Sequence, residues 1–261
     1  MKKINIAGKI ACITILAFLG SVFLSNAQEV KQGKAVVRAI TKGTAKYKDP
    51  ASGVMDWAPL KVDTVLKPGA VVETDATATV DLFLGVNGPV VRVTPATQLV
   101  LDKLTFSRAG GEVVIETQMD LKSGTILGTV KKLAAASKYE VKTPVGVCGI
   151  RGTEYRVSAD GRVVVLKGWV RVTFTIQGQA PITIDVKESQ MVIPPTPTTP
   201  PQVVTIPENV YIETRTEIIL SEKYTGAPPA AEVPVKVEVK PIEKLEKDET
   251  QNFDSRTTPG K

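Results

Sequence analysis

The run Val163-Val164-Val165-Leu166-Lys167-Gly168-Trp169-Val170-Arg171-Val172-Thr173-Phe174 shows how most of this chain is built. Two short segments of β-branched and aromatic residues are separated by one glycine, and the second segment alternates apolar and polar side chains. A period of two is typical of a β-strand with one buried face, whereas an amphipathic helix repeats about every 3.6 residues. The run therefore predicts two strands, the second of which starts after Gly168.

The same pattern extends from Lys34 to Ile193. Other apolar runs of this kind are Val80 to Leu84, Val90 to Val93, Val113 to Ile115 and Tyr139 to Val141. Turn signals separate the runs, namely Asn87-Gly88-Pro89, Gly110-Gly111, Lys122-Ser123-Gly124 and Asp160-Gly161. The one helix candidate, Val130 to Lys138, is brief. We therefore predict an all-β domain over residues 34–193.

A change in composition near Pro194 marks a boundary. Sixteen of the twenty glycines lie between residues 28 and 193, whereas eleven of the eighteen prolines lie between 194 and 261. Residues 194–261 are therefore predicted to form an extended, Pro-rich and largely disordered tail, which opens with a stiff spacer at 194–201. Residues 203–224 have some strand character, and the sequence leaves open whether they dock on the domain.

Residues 1–27 have the layout of a secretory signal peptide. Lys2, Lys3 and Lys9 precede an apolar stretch, and Ser25-Asn26-Ala27 supplies small residues before Gln28. The apolar stretch, Ile10 to Leu24, is shorter than the roughly 20 residues that a membrane-spanning helix needs. We expect cleavage after Ala27 and a periplasmic or extracellular product that does not span the membrane.

Composition excludes several classes of chemistry. The chain has no histidine, which removes histidine-dependent nucleophiles, His-ligated metals and imidazole acid–base catalysis. Cys12 lies in the predicted signal peptide, so Cys148 is the one remaining thiol. The formal charge of +6 includes three lysines of the signal peptide, and no basic cluster indicates nucleic-acid binding. We expect no enzyme, no cofactor and no metal site.

Two stretches resemble the FecR domain, an extracytoplasmic β domain of iron-transport regulators. The first contains Trp57-Ala58-Pro59-Leu60-Lys61-Val62 and Leu66-Lys67-Pro68-Gly69, and the second runs from Tyr139 to Val157. The string from Thr143-Pro144 through Gly146 to Arg151-Gly152-Thr153-Glu154 is the more specific part. The resemblance covers residues 35–175.

This resemblance implies a compact stack similar to a β-solenoid or β-sandwich. In such a stack Gly146, Gly149 and Gly152 would occupy tight corners, Pro144 would stiffen the entry, and the Thr143 and Thr153 hydroxyls would satisfy backbone groups. The motif residues that we single out as structural, with possible contact to a partner, are Trp57, Thr143, Pro144, Gly146, Arg151, Gly152, Thr153 and Glu154.

The chain also departs from the family pattern. FecR-type regulators carry a cytoplasmic anti-sigma segment and a membrane helix before this domain, and the predicted signal peptide stands there instead. We therefore do not expect an anti-sigma regulator.

Several side chains allow a functional interpretation beside a structural one. Cys148 could be a reactive thiol, but a buried core position is favoured. Arg151 and Glu154 could bind a ligand, although a structural pair at a turn is favoured. The carboxylates Asp81, Asp102, Asp120 and Asp160 show no calcium-loop or glycosidase spacing, so solvated strand faces are favoured.

The aromatic residues leave a similar choice. Trp57 and Trp169, with Tyr47, Tyr155 and Phe174, could form an exposed platform for carbohydrate or peptide, but packing of both tryptophans in the core or at an edge is favoured. A sheet edge could also accept a partner strand, with Lys61 and Lys103 as edge charges that block unwanted pairing.

From these observations we expect an exported FecR-like module that binds an envelope protein or a glycan. The alternative is a structural envelope protein that self-associates through its β domain. The sequence sets neither the ligand nor the oligomeric state.

Overall fold

The computed structural model describes residues 29–109 and 111–226. The predicted signal peptide, residues 1–27, and residues 227–261 of the predicted tail lie outside these described residues. Within the described part of the chain, no helix is both long enough and apolar enough to cross a bilayer.

The described residues are mostly β-strand and form two sheets, as the alternating sequence pattern predicted. The first sheet has ten strands, which are β1 Lys31–Gln32, β3 Ala45–Asp49, β4 Val54–Pro59, β6 Val71–Thr74, β9 Gln98–Ala109, β10 Glu112–Ser123, β12 Lys138–Thr143, β13 Gly146–Ile150, β16 Trp169–Phe174 and β17 Ile182–Lys187. The second sheet has nine strands, which are β2 Ala35–Thr41, β5 Val65–Leu66, β7 Thr79–Phe83, β8 Val90–Val93, β11 Thr125–Thr129, β14 Glu154–Ser158, β15 Val163–Lys167, β18 Gln190–Ile193 and β19 Gln202–Thr205. The described part of the chain contains one α-helix, α1, which spans Glu208–Thr225.

The order of strands along each sheet follows the order of the chain, except that β1 pairs with β9 and that β4 and β5 lie outside β3 and β2 at the sheet edges. The first sheet reads β17-β16-β13-β12-β10-β9-β6-β3-β4, with β1 paired to β9, and the second reads β19-β18-β15-β14-β11-β8-β7-β2-β5. Each pair of strands in one sheet is followed by strands in the other, so the chain winds between the sheets as it advances. Strands β10 and β12 pair in parallel, and the other described ladders are antiparallel. Both sheets are open, and the prediction of a mostly β fold is confirmed.

Alternate side chains of both sheets meet in one apolar core. In β10, for example, Ile115, Thr117, Met119 and Leu121 are buried while the alternate residues between them are more exposed. Buried residues of both sheets belong to one continuous cluster. Since each fully buried Val, Leu or Ile contributes about 1.5–3 kcal/mol, this cluster is the main stabilising feature of the domain.

Two buried tyrosines join the sheets through a polar contact. Tyr139 of β12 and Tyr155 of β14 pack edge to face, and their hydroxyl oxygens lie 3.1 Å apart. Burial raises the pKa of both phenols far above the usual range, so both remain neutral and one donates to the other. The pair therefore satisfies two buried polar groups at the centre of the core.

Helix α1 covers the outer face of the second sheet. Its buried side chains are Thr214, Ile218, Ser221, Glu222 and Thr225. Ile218 joins an apolar cluster on this face with Leu127 and Leu166. The helix ends at Gly226, which has the left-handed conformation (φ 65°) that commonly terminates helices.

The C-terminal part of the described chain belongs to the folded unit. Residues 194–201, which the sequence assigned to a spacer, connect β18 to β19, and these two strands pair in an antiparallel ladder. Residues 203–224 do dock on the domain, as the end of β19 and as most of α1. The helix candidate Val130 to Lys138 is wrong, because residues 130–137 form an irregular connection and Lys138 begins β12.

Candidate binding site

Trp57 lies on β4, an edge strand of the first sheet, and 38% of it is exposed. The amines of Lys46 and Lys48, both on neighbouring β3, lie 4.7 Å and 4.9 Å from the centre of the indole ring. A cation this close to an aromatic face is attracted by the ring quadrupole, which holds the indole against the sheet. The expectation of edge packing is confirmed for Trp57, and a substantial part of the ring remains accessible.

A groove of about 540 Å³ opens beside Trp57. Its walls include Ala58 and Pro59 on one side and Glu73 and Asp75 on the other. A groove with an aromatic wall and a few fixed polar groups is the usual form of a binding site for a small or extended ligand.

The carboxylates of this groove are ionised and fixed in place. Glu73 accepts hydrogen bonds from Lys46 and Gln98, each at 2.8 Å, and these bonds lower the pKa of Glu73. Asp75 accepts hydrogen bonds from the backbone amides of Thr77 and Thr44, which hold its pKa well below the usual range. The groove therefore presents preorganised acceptors beside the two lysine amines.

The motif residues Thr143, Pro144 and Gly146 form the turn between β12 and β13. The Thr143 hydroxyl donates to the Gly146 carbonyl at 3.2 Å, which confirms its expected role at the turn. Gly146 is required by close packing, because a Cβ at this position would lie 2.2 Å from the carbonyl oxygen of Thr173 on β16. No side chain larger than hydrogen fits there without moving the β16 backbone.

This turn borders a second groove, of about 410 Å³. Asp120, Lys122 and Lys142 line it together with the turn residues. Lys122 pairs with Asp120 at 2.5 Å and Lys142 with Asp102 at 3.2 Å, so charged groups alternate along the groove.

The motif residues Arg151, Gly152, Thr153 and Glu154 form the crossover from β13 to β14. The predicted pair between Arg151 and Glu154 is wrong, because Arg151 donates to the Ala135 carbonyl at 3.1 Å and Glu154 binds Arg215 of α1. The cause is the crossover itself, which carries Glu154 to the second sheet beneath the helix.

The two other residues of the crossover have structural roles. The buried Thr153 hydroxyl donates to the Trp169 carbonyl at 2.9 Å, as expected for a hydroxyl that satisfies backbone. Gly152 has a φ of 68°, which fits the corner predicted for it. Gly149 lies inside β13, where a Cβ would make only an ordinary contact, so the corner predicted at Gly149 is wrong.

Trp169 lies on β16, near the other end of the first sheet, and 37% of it is exposed. The Arg171 guanidinium lies 5.5 Å from its ring centre. Arg171 in turn makes a two-point ion pair with Asp185 of β17, at 2.7 Å and 2.9 Å. The expectation of core or edge packing is met only in part, since this ring too keeps an accessible portion.

A buried ion network lies beneath α1 on the second sheet. Arg92 donates to both carboxylate oxygens of Asp81 at 2.8 Å and to Glu217 of α1 at 2.6 Å. The expectation of a solvated strand face is wrong for Asp81, which is fully buried because the helix covers it. Asp160, in contrast, pairs with Arg162 near solvent, as expected.

Two further expectations have clear outcomes. Cys148 is buried in the core, as predicted, and burial raises the pKa of its thiol to about 12. The edge role predicted for Lys103 is wrong, because β9 is an interior strand and Lys103 pairs with Glu116 of β10 at 2.6 Å.

The predicted motif residues thus fall into three places. Thr143, Pro144 and Gly146 share one groove, Arg151 to Glu154 lie at the crossover, and Trp57 lies roughly 24 Å from the β12 turn, five strand spacings away. Sequence reasoning placed Glu73 in the first FecR-like stretch, but it did not assign Glu73, Lys46 or Lys48 to a site beside Trp57. The alternation Ala45-Lys46-Tyr47-Lys48 shows which face these lysines occupy, but it does not show that β4 folds back to place Trp57 over them.

Comparison with known families supports the resemblance of the motif string. The family model described as FecR protein matches residues 70–171. These residues form a FecR domain. The FecR domain begins just before β6 and ends within β16, so it includes the β12 turn, the crossover and Trp169. It covers less than half of the chain, and the Trp57 groove lies partly before it. No curated protein and no solved structure matches the chain.

Proposed function

We propose that this FecR-domain protein is an exported, non-catalytic module that binds an envelope protein or glycan through the Trp57 groove. The observation that carries the proposal is an accessible indole at a sheet edge, held by two lysine amines above a groove with fixed carboxylates. Exposed aromatic rings beside fixed polar groups are enriched where proteins bind partners. The absence of histidine from the sequence supports a role without acid–base chemistry.

The proposal of export rests on the signal-peptide pattern of residues 1–27. Expression of the full chain in a Gram-negative host tests it by cell fractionation and N-terminal sequencing. We expect the protein in the periplasm or medium with Gln28 at its N-terminus. A cytoplasmic protein that retains Met1 would overturn this part of the proposal.

Capture from an isolated envelope fraction tests the binding role. The bait is the full processed chain, because truncation at residue 193 would remove α1 and expose Leu127, Val164 and Leu166. We expect Trp57→Ala to lose the captured partner and Trp57→Phe to retain part of it. Ile212→Ala is the matched control, since Ile212 is an exposed apolar residue on α1, away from the groove. Equal capture by the wild-type chain and Trp57→Ala would contradict the role of the groove.

A second candidate function is self-association as a structural envelope protein. The described strands leave both sheets open, with β4 and β17 at the edges of the first sheet and β5 and β19 at the edges of the second. Exposed edges of this kind can pair with another chain. Light scattering over a wide range of concentration tests this function, and a monomer throughout would exclude it.

A further inference from the structure

Trp57 and Trp169 lie on the same face of the first sheet. Side chains such as Val72, Met119 and Val172 point into the core, and those at intervening positions point away from it. Trp57 contacts two outward lysines of β3, and Trp169 contacts outward Arg171. The two accessible rings therefore belong to one surface, which we call the outer face of the first sheet.

The two rings lie near opposite ends of this surface. Seven strand spacings separate β4 from β16, which places them roughly 34 Å apart. The groove at the β12 turn, with Asp120 and Lys142, lies between them. A ligand that contacts both rings must therefore be an extended chain and not a small molecule.

The surface between the rings is polar and nearly balanced in charge. Each of its main ion pairs joins a cation to a carboxylate on the same strand or on a strand one or two positions away. The pairs between the rings are Lys46–Glu73, Lys103–Glu116, Lys122–Asp120, Lys138–Glu140 and Lys142–Asp102, and Arg171–Asp185 extends the series to β17, just beyond Trp169. A polyanion such as nucleic acid needs an excess of basic groups, which this face does not provide.

The distribution of apolar groups discriminates between a protein and a glycan. Protein interfaces bury a contiguous apolar centre. Here the two indoles are separated by ion pairs, by amides such as Gln98 and Gln118, and by the partly buried valines Val71, Val100 and Val147. Indole rings stack on the C–H faces of sugar rings, and paired carboxylates and amines exchange hydrogen bonds with hydroxyl groups. The pattern therefore matches a chain of uncharged sugars.

We infer that the outer face of the first sheet binds a neutral polysaccharide laid across the strands, with Trp57 and Trp169 as stacking platforms at its two ends. The inference rests on the proposed binding function, and it specifies the ligand class and a second contact. It assigns Trp169 a part in binding that neither the motif string nor the Trp57 groove requires.

Affinity electrophoresis of the full chain in gels that contain dextran, laminarin, a soluble cellulose derivative or alginate tests the inference. We expect at least one neutral polymer to retard the wild-type chain. Trp57→Ala and Trp169→Ala should each weaken binding of that polymer about tenfold or more, because each removes one of two linked contacts. Binding of the corresponding disaccharide, which cannot reach both rings, should be affected by only one of the two substitutions.

Control variants separate lost stacking from lost folding. Trp57→Phe and Trp169→Phe keep a ring and should recover much of the binding, and Ile212→Ala on α1 should leave it unchanged. Circular dichroism and thermal midpoints should match among all variants, since both indoles are partly exposed.

Three results would overturn the inference. If Trp57→Ala weakens binding and Trp169→Ala does not, the inference that one ligand contacts both rings is wrong, while the proposed function stands. If no neutral polymer retards the chain, the assignment of a neutral polysaccharide as the ligand is wrong. Partner capture through Trp57 still tests the proposed function separately. Binding of alginate alone that disappears with added salt would indicate nonspecific attraction of an anion.

Discussion

Arg92 is almost completely buried and touches carboxylates from two directions. Its Nε and Nη2 atoms donate hydrogen bonds to Asp81 of β7, and its Nη1 atom donates to Glu217 of α1. Burial opposes the charged guanidinium, but the hydrogen bonds that Arg92 donates to Asp81 and Glu217 outweigh it and raise the pKa of Arg92. The fixed charge of Arg92 thus neutralises a carboxylate that has no access to solvent.

Replacement of Arg92 should be strongly destabilising. Arg92→Ala leaves the Asp81 carboxylate buried without a cation, and loss of one partner of a buried pair costs about 3–5 kcal/mol. Denaturant unfolding measures this loss as a lower midpoint with an unchanged slope.

Two variants serve as controls for this prediction. Asp81→Leu with Arg92→Met should cost much less than Arg92→Ala, because no buried charge is left unpaired and the remaining carboxylate, Glu217, has a side chain that is 38% exposed. Arg171→Ala breaks the exposed pair with Asp185 and should have little effect. A cost for Arg92→Ala no larger than that for Arg171→Ala would contradict the role of burial.

Sequence pattern predicted some of these side chains and missed others. The burial of Cys148 followed from its place in an apolar and glycine-rich run. The Arg92–Glu217 contact could not be predicted, because it joins residues 125 positions apart through a helix that sequence reasoning did not find. The same helix explains why Asp81 is buried and why Glu154 binds Arg215 instead of Arg151.

Helix α1 escaped prediction because its apolar periodicity is misleading. Its buried face consists mostly of small or polar residues, including Thr214, Ser221 and Thr225, whereas Ile212 and Ile219 face outward. Because apolar residues lie on both the buried and the exposed side of α1, the helix has no single apolar stripe by which it could be recognised. The strands were easier, because alternation toward one core is a local signal.

Two adjacent isoleucines test how α1 is held. Ile218 is 1% exposed and packs on the second sheet, whereas Ile219 is 50% exposed. Ile218→Ala should cost about 2–5 kcal/mol, as other buried truncations do, and Ile219→Ala close to nothing. Hydrogen exchange of the α1 amides in each variant measures how far the substitution destabilises the docked helix. Similar protection of the α1 amides from exchange in the two variants would show that the packing of Ile218 does not stabilise the docked helix.

Glu222 gives the docking of α1 a dependence on pH. Burial raises the pKa of Glu222 above its usual value of 4.5, with a further contribution from the nearby Glu154 carboxylate, although a hydrogen bond from Thr129 and the Arg215 charge oppose this. The folded state therefore binds more protons than the unfolded state above pH 4.5. This contribution to stability is complete below that pH and is lost as pH rises through the folded pKa.

Replacement of Glu222 by glutamine should remove the decrease in stability that accompanies ionisation of Glu222 as pH rises. Glu222→Gln cannot ionise, and its side-chain oxygen can still accept from Thr129. We expect its stability relative to the wild-type chain to increase from acidic to neutral pH, as measured by denaturant unfolding at several pH values. The same change at Glu208, in the exposed first turn, is the control and should show no such trend. A difference that is constant with pH would contradict the assignment.

One core extends through both sheets from end to end, and it should make the domain unfold as a unit. Trp57 lies near one end and Trp169 near the other, so Trp57→Phe and Trp169→Phe each leave one fluorescent reporter. We expect both variants to show coincident transitions by fluorescence and circular dichroism, as two-state unfolding requires. Separate midpoints would instead indicate stepwise loss from one end, as in repeat arrays.

The general architecture was predictable, but its surface was not. Alternation and glycine spacing indicated an all-β domain, and the motif string around Gly146 and Arg151 indicated its family. The Trp57 groove depends on how β4 folds back on β3, and the common face of Trp57 and Trp169 depends on the register of eight strands. These spatial relations depend on how distant strands pair, and a local sequence pattern does not predict that pairing.

The sequential order of the strands along both sheets affects how the molecule can be assembled. A chain that emerges N-terminus first can add each new strand to a neighbour that is already present, with few long loops to close. Helix α1 emerges after every described strand, so the buried Asp81–Arg92 pair stays open to water until Glu217 arrives. Completion of the outer layer is thus a late step of folding, and a nascent chain halted before α1 would display a hydrated ion pair that the finished protein conceals.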